Sequence, residues 1–267
     1  MNQPIKKNVL GTGVSVVDYR SAVDAIMAAA KASRPFSVGA LAVHGIMNSV
    51  LDSRYRYRMN AFNMVVPDGQ PVRWALNLLH KAGLKDRVYG PDLTLKTCAQ
   101  AARDGVPVYF FGSKPEVLAQ MTRRLTAKYP ALKIAGQQAS LFRHGDKAEM
   151  DGIVDQIRQS GAGIVFVGLG CPRQEIWVYE NVARLSMPVI GVGAAFDFHA
   201  GLLKQAPPRM QKYGLEWLYR FIQEPRRLWR RYAYLNPMFL MLLAAQFFRV
   251  APFSDSGSAP DHFENYV

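Results

Sequence analysis

Cysteine is scarce: Cys98 and Cys171 are the 2 in 267 residues. They lie far apart and outside any CxxC or Cys/His cluster, which argues against a structural zinc site and a disulfide framework. Reduced thiols in a cytosolic protein are the plain reading. Long apolar runs are missing too. The strongest covers residues 238–248, whereas a bilayer span needs ~20 residues, so no transmembrane helix is expected. The opening MNQPIKKNVLGTG carries two lysines with no apolar stretch behind them, so no secretory signal is expected. Acidic residues are in deficit, 20 against 33 Lys and Arg, for a formal charge of +13. That surplus favours anionic partners: nucleic acid, anionic lipid or phosphorylated small molecules. The signatures of the common nucleotide binders are also absent. There is no GxxxxGK[ST], and Gly11-Thr12-Gly13 is too short a match to GxGxxG. Asp197-Phe198-His199 is not a DxD metal motif, so no metal-bridged ligand is expected.

What the chain does have is alternation. Residues 36–43, 62–66, 106–111, 131–135, 163–167 and 189–192 are β-branched or aromatic runs that predict strands. Helical periodicity fills residues 17–33, 93–104, 115–129 and 147–160. Several strands are apolar almost throughout, as strands covered on both faces should be. The order predicts an α/β fold with a doubly wound, largely parallel, Rossmann-like sheet, whose ligands gather at the carboxyl ends of strands. Near residue 205 the character changes. Pro207-Pro208 precedes a segment dense in Trp, Tyr and Arg, then the apolar run, then a polar tail. The expected division is a core over residues 1–205, a helical membrane-binding appendage over 206–250 and a disordered tail over 251–267.

The distinctive residues fall where those strands end. In Val66-Pro67-Asp68-Gly69-Gln70, the turn leaves a carboxylate at the crevice edge. Asp68 could serve there as a general base, or simply as an Asx-turn or helix cap. In Phe111-Gly112-Ser113-Lys114-Pro115, Gly112 permits close approach and Pro115 opens a helix. Its first amides, Ser113 and Lys114 could hold a phosphate, and an ordinary strand-to-helix turn fits equally. In Gly168-Leu169-Gly170-Cys171-Pro172-Arg173-Gln174-Glu175, Arg173 and Gln174 can donate to phosphate or sugar oxygens while Glu175 helps cap a helix. Asp197 follows another small-residue loop and serves either a ligand or helix–sheet packing. Arg87 leads into the turn Tyr89-Gly90-Pro91 and could reach a diphosphate; a plain surface arginine is the other reading.

In the appendage, Arg220, Arg227 and Arg231 share one face at helical spacing, with Arg230 on its flank. Leu218, Phe221, Ile222, Trp229 and Tyr232 lie opposite, and Pro225 is expected to break the run into two helices. This pattern suits a helix in the headgroup region of an anionic bilayer, and arginines that pair with a diphosphate. A helix docked on its own domain is the alternative.

The order of the blocks carries more than any one of them. PDGQPVRWA, RVYGPDL, VYFFGSKPEVL, GLGCPRQE, GVGAAFDFHAG and APPRMQKYGLEWLYRFIQEPRRLWRRY follow one another along the chain. Over residues 10–235 the chain resembles the WecG/TagA/CpsF glycosyltransferases. The resemblance implies inverting, metal-independent transfer, with no cofactor, from a UDP-sugar to an undecaprenyl-diphosphate-linked sugar at the inner face of the cytoplasmic membrane. It implies Asp68 as catalytic base, Arg87 as a second catalytic residue that offsets charge on the departing diphosphate, Gln174 in the site, and Arg220, Arg227 and Arg230 completing it from the appendage. One departure stands out. Where the family carries Thr-x-Asn near the site, this chain reads Gly39-Ala40-Leu41-Ala42-Val43-His44-Gly45. His44 either takes over as a polar group or packs in a loop. The oligomeric state, including a homo-oligomer, stays open.

Three other classes compete. An oxidoreductase would share the sheet but needs the missing dinucleotide fingerprint. A nucleic-acid-binding protein would explain the charge and the Arg/aromatic segment, although the resemblance implies no nucleic-acid partner. A non-catalytic membrane scaffold would be indifferent to Asp68.

Overall fold

The computed structural model describes residues 4–267, and every side chain among them except those of Pro208, Arg227, Arg230 and Arg231. An antiparallel hairpin comes first, β1 (Lys6–Val9) and β2 (Thr12–Ser15). Its turn residues Leu10 and Gly11 both have positive φ, 52° and 84°, as a two-residue primed turn requires. No turn signal of the Asn-Gly kind marks it, which is why the sequence reading passed over this hairpin.

The core then alternates. α1 (Tyr19–Lys31) starts where the Asp18 carboxylate accepts from Ser21 N, leaving Ala22, Val23, Ile26, Met27 and Ala30 to bury one stripe. β3 (Phe36–Leu41) leads into α2 (Val43–Leu51) and α3 (Ser53–Ala61), then β4 (Met64–Pro67) and α4 (Gln70–His80). α5 (Gly90–Asp104), β5 (Val108–Gly112), α6 (Pro115–Lys128), β6 (Ile134–Gln138) and α7 (Lys147–Gln159) follow. β7 (Ile164–Gly168), α8 (Arg173–Asn181), β8 (Pro188–Gly191) and α9 (Ala195–Ala200) complete the core.

β3 to β8 form one six-stranded sheet in the order β4-β3-β8-β7-β5-β6, parallel throughout. Alternate strand residues feed two cores. Met64, Val66, Phe110, Phe166 and Ile190 meet α1, α5, α6 and α9 on one face. Val65, Phe111, Val165, Val167 and Val189 meet α2, α3, α4, α7 and α8 on the other. This is the doubly wound arrangement that the apolar strands predict. Phe110 stacks on Phe166 at 5.4 Å and meets Phe196 edge-on at 5.7 Å; each such pair adds ~0.5–1.5 kcal/mol beyond area burial.

Beyond residue 205 lie α10 (Pro208–Lys212), α11 (Glu216–Gln223), α12 (Pro225–Arg230), a π-helical turn (Arg231–Leu235) and α13 (Asn236–Phe247). The break falls at Glu224, just before Pro225, as expected of a proline that opens a helix. α13 joins the core: Phe239 and Leu243 are buried against it, and Gln246 Oε1 accepts from Leu10 N at 2.9 Å. Among the described residues no helix is long and apolar enough to cross a membrane.

Residues 251–267, expected as a disordered tail, run along the core. Phe253 O accepts from Asn8 Nδ2 at 2.8 Å, and Ser256 O accepts from Arg56 Nε at 2.8 Å. Glu264 N and Asn265 N donate to the Glu180 carboxylate at 2.8 and 3.3 Å. Val267 is buried, and its carbonyl accepts from Leu141 N and Ser140 Oγ. A Ser/Gly/Pro/Asp composition signals disorder only when nothing distant satisfies the backbone; here α3, α8 and the segment after β6 do so.

Candidate active site

The parallel topology gathers strand ends along one edge of the sheet, and the loops beyond them build the site. β4 runs into Asp68, whose backbone N donates to Leu41 O at 3.1 Å and so fixes the turn beside β3. Asp68 Oδ1 accepts from Gly90 N, the first residue of α5, at 2.5 Å. The carboxylate is thus aimed by its own strand and anchored on a neighbouring helix. This is more than the Asx-turn reading needs.

Two cavities meet at this point. A cleft of about 740 Å³ lies along the ends of β3, β5, β7 and β8, with Ser113, Lys114, Gly168, Gly170, Arg173, Gln174, Gly193 and Asp197 in its walls. A smaller cavity of about 100 Å³ lies between core and appendage, bounded by Gln70, Pro71, Arg87, Glu216, Trp217 and Tyr232. Asp68, His44, Tyr89 and Arg220 line both. The helices α6, α8 and α9 begin at the cleft, so their unpaired amides and dipoles add to Lys114, Arg173 and Arg220. A phosphate-bearing ligand fits such a field.

Burial pushes the Asp68 carboxyl up to about 6, the largest influence on it. Arg87, the Gly90 amide and Arg220 favour the charged form, while Glu216 opposes it. The result is a carboxylate ionised at neutral pH but with an unusually high proton affinity, as a general base requires. Arg87 is buried, and its Nη2 donates to Glu216 Oε2 at 2.5 Å and to Gln211 Oε1 at 3.2 Å. Its guanidinium stacks over the Tyr89 ring at 4.1 Å. Burial, ahead of the carboxylates of Glu216 and Asp68, holds the Tyr89 hydroxyl well above its usual range, so it stays protonated.

The other anticipated residues divide. Arg87 lines the smaller cavity and not the larger cleft, and it is not the surface arginine of the alternative reading. Ser113 lines the cleft with φ 58°, its N donating to Gly168 O at 2.9 Å. Gly112 is not among the lining residues of either cavity. A Cβ there would sit 2.7 Å from the Gly168 backbone, and its φ is 111°, so its role is close approach of two strands. Gln174 was expected to donate to a ligand. Its Nε2 instead donates to buried Glu175 at 2.7 Å and its Oε1 accepts from Gly193 N at 3.0 Å. It reaches the cleft wall while tying two glycine loops together. Asp197 lines the cleft, and its carbonyl caps α9 by accepting from Leu202 N at 3.0 Å. Arg220 lies over the Phe198 ring at 5.8 Å. The side chains of Arg227 and Arg230 lie outside the described residues.

Sequence reasoning missed Glu216, Gln211 and Tyr89, whose roles depend on Arg87 meeting a segment more than a hundred residues away. It also missed Phe142, a cleft residue in the segment after β6 with φ 55°. Among the described residues no three His, Cys, Asp or Glu side chains converge as a metal site would require.

A doubly wound sheet thus carries a cationic cleft over its strand ends, with a carboxylate of raised proton affinity at the rim. The model of the glycosyl transferase WecG/TagA/CpsF family matches residues 7–252. The chain belongs to that family, and is a glycosyltransferase of cell-surface polysaccharide synthesis.

Proposed function

We propose that the chain transfers a sugar, with inversion, from a UDP-sugar to an undecaprenyl-diphosphate-linked sugar, with no metal ion in the reaction. The observation that carries this reading is the position of Asp68 at the seam between the two cavities. The nucleotide diphosphate lies in the larger cleft, against Lys114, Arg173, Arg220 and the helix N-termini. The acceptor sugar enters through the smaller cavity. Asp68 takes the proton of the acceptor hydroxyl as that oxygen bonds to the anomeric carbon. The bond from that carbon to the diphosphate oxygen breaks on the opposite face, and the electron pair leaves with UDP. Charge growing on the diphosphate is offset by the cations and amide dipoles already in place. His44, lining both cavities, orients the acceptor where family members carry other polar groups.

The lipid-linked acceptor is met at the inner face of the cytoplasmic membrane. The +13 charge supports this, as do the exposed apolar side chains Ile222, Trp229, Leu240, Met241 and Phe248 of the appendage. A screen of UDP-sugars with short-chain polyprenyl-diphosphate glycan acceptors, read by UDP release in excess chelator, tests the proposal. Acceptor-dependent release from at least one donor is expected. Release that needs an added divalent cation, or none from any donor, contradicts it.

A further inference from the structure

Arg87 and Glu216 link core and appendage at the site. Both are buried, their charged atoms are 2.5 Å apart, and Glu216 is the first residue of α11. Gln211, from the end of α10, accepts from the same Arg87 nitrogen and donates to Ala206 O at 2.8 Å, so the pair is held from two helices of the appendage. Leaving a buried guanidinium without its carboxylate is costly. After Glu216, the carboxylate that acts most on Arg87 is Asp68.

We propose that Glu216 is a positioning residue. By claiming the Arg87 guanidinium, it leaves the Asp68 carboxylate to accept a proton, so that docking of the appendage completes the base as well as closing the site. The proposal rests on Asp68 being the base. The charged and titratable groups that share the smaller cavity with Asp68 are His44 from α2, Arg87 and Tyr89 from the segment before α5, Glu216 and Arg220 from α11, and Tyr232 from the π-helical turn; the larger cleft adds Lys114, Cys171, Arg173 and Asp197. Among the described residues, Glu216 is the other carboxylate in the smaller cavity. Removing its charge leaves Arg87 and Arg220 unopposed, which stabilises the charged form of Asp68 and weakens it as a base. Consistent with this, Glu216 raises the proton affinity of Asp68 while Arg87 and Arg220 lower it.

The experiment uses the full chain and the variants Glu216→Gln, Glu216→Asp, Arg87→Gln and the double variant Glu216→Gln/Arg87→Gln. Gln is isosteric and still accepts from Arg87. Two quantities are followed against pH: the transfer rate, and the Asp68 carboxyl shift by carbon NMR, assigned by its loss in Asp68→Asn. Glu216→Gln should move the Asp68 titration to lower pH and cut transfer at neutral pH roughly tenfold, about what a weakened general base costs. Glu216→Asp should retain most of the wild-type profile, and the double variant should restore the titration toward wild type. An unchanged titration in Glu216→Gln, or equal loss of rate at every pH, would overturn the proposal. The NMR titration reads the Glu216 effect whether or not Asp68 is the base, and retained transfer in Asp68→Asn identifies failure of the base assignment separately.

Discussion

Replacing Asp68 with asparagine should stabilise the folded protein at neutral and alkaline pH, and hardly change it in acid. The Asp68 carboxyl titrates at about 6 in the fold, against 3.8 for the ordinary group. When a carboxyl's folded value lies above its unfolded value, the unfolded chain ionises first as pH rises. Stability is then lost through the window from about pH 4 to about pH 6 and stays lost above it. At 1.36 kcal/mol per tenfold change in proton affinity, keeping Asp68 charged costs the fold ~3 kcal/mol above that window. Asn carries no charge, and its Oδ1 can still accept from Gly90 N, so the variant escapes most of this cost. Urea unfolding at about pH 8 should therefore show Asp68→Asn more stable by ~2–3 kcal/mol, or roughly 5–10 °C in Tm. Near pH 4 the difference should fall below ~0.5 kcal/mol. A variant less stable than wild type at pH 8, or a gain that is the same at both pH values, would refute the reasoning that burial dominates this carboxyl.

Three further outcomes follow from the packing and the tail. Gly112→Ala meets both a left-handed backbone and the Gly168 backbone at 2.7 Å, so it should lower stability by ~3 kcal/mol or more in chemical denaturation. Deleting residues 262–267 frees the segment that carries Phe142, which the tail holds through Leu141 N, Gly145 N and Ser140 Oγ. UDP affinity by calorimetry should fall several-fold while the core remains folded. Truncation after Gln205 should release the protein from anionic vesicles; a folded truncated core that still sediments with lipid would remove the appendage as anchor.

The sheet was legible because its strands are covered on both faces and so read as unbroken apolar runs, as in Val108 to Phe111 and Ile164 to Val167. Asp68 was legible because Pro67 and Gly69 force a turn at a strand end. The hairpin at Leu10-Gly11 was not, since a buried Leu in the left-handed region leaves no turn signature. Residues 43–51 continue the apolar run of β3, and this hid the start of α2. Arg87 pointed to a diphosphate when read alone, because its partner Glu216 lies across the chain and an ion pair has no local pattern. The contacts of the tail were hidden for the same reason: its composition is that of a disordered segment, and its partners Asn8, Arg56, Glu180 and Leu141 are remote in sequence. Gly112 was read as ligand-facing because a glycine that admits a phosphate and one that admits a neighbouring backbone look alike in one dimension.

The account stands on a single proton acceptor, and the most direct measurement compares Asp68→Asn with wild type for sugar transfer and for UDP binding under the same conditions. Transfer should drop at least a hundredfold, about what a lost general base costs, while the Kd for UDP stays within about threefold, since the diphosphate is held elsewhere in the cleft. Full transfer by the variant, or loss of UDP binding in step with activity, would contradict it.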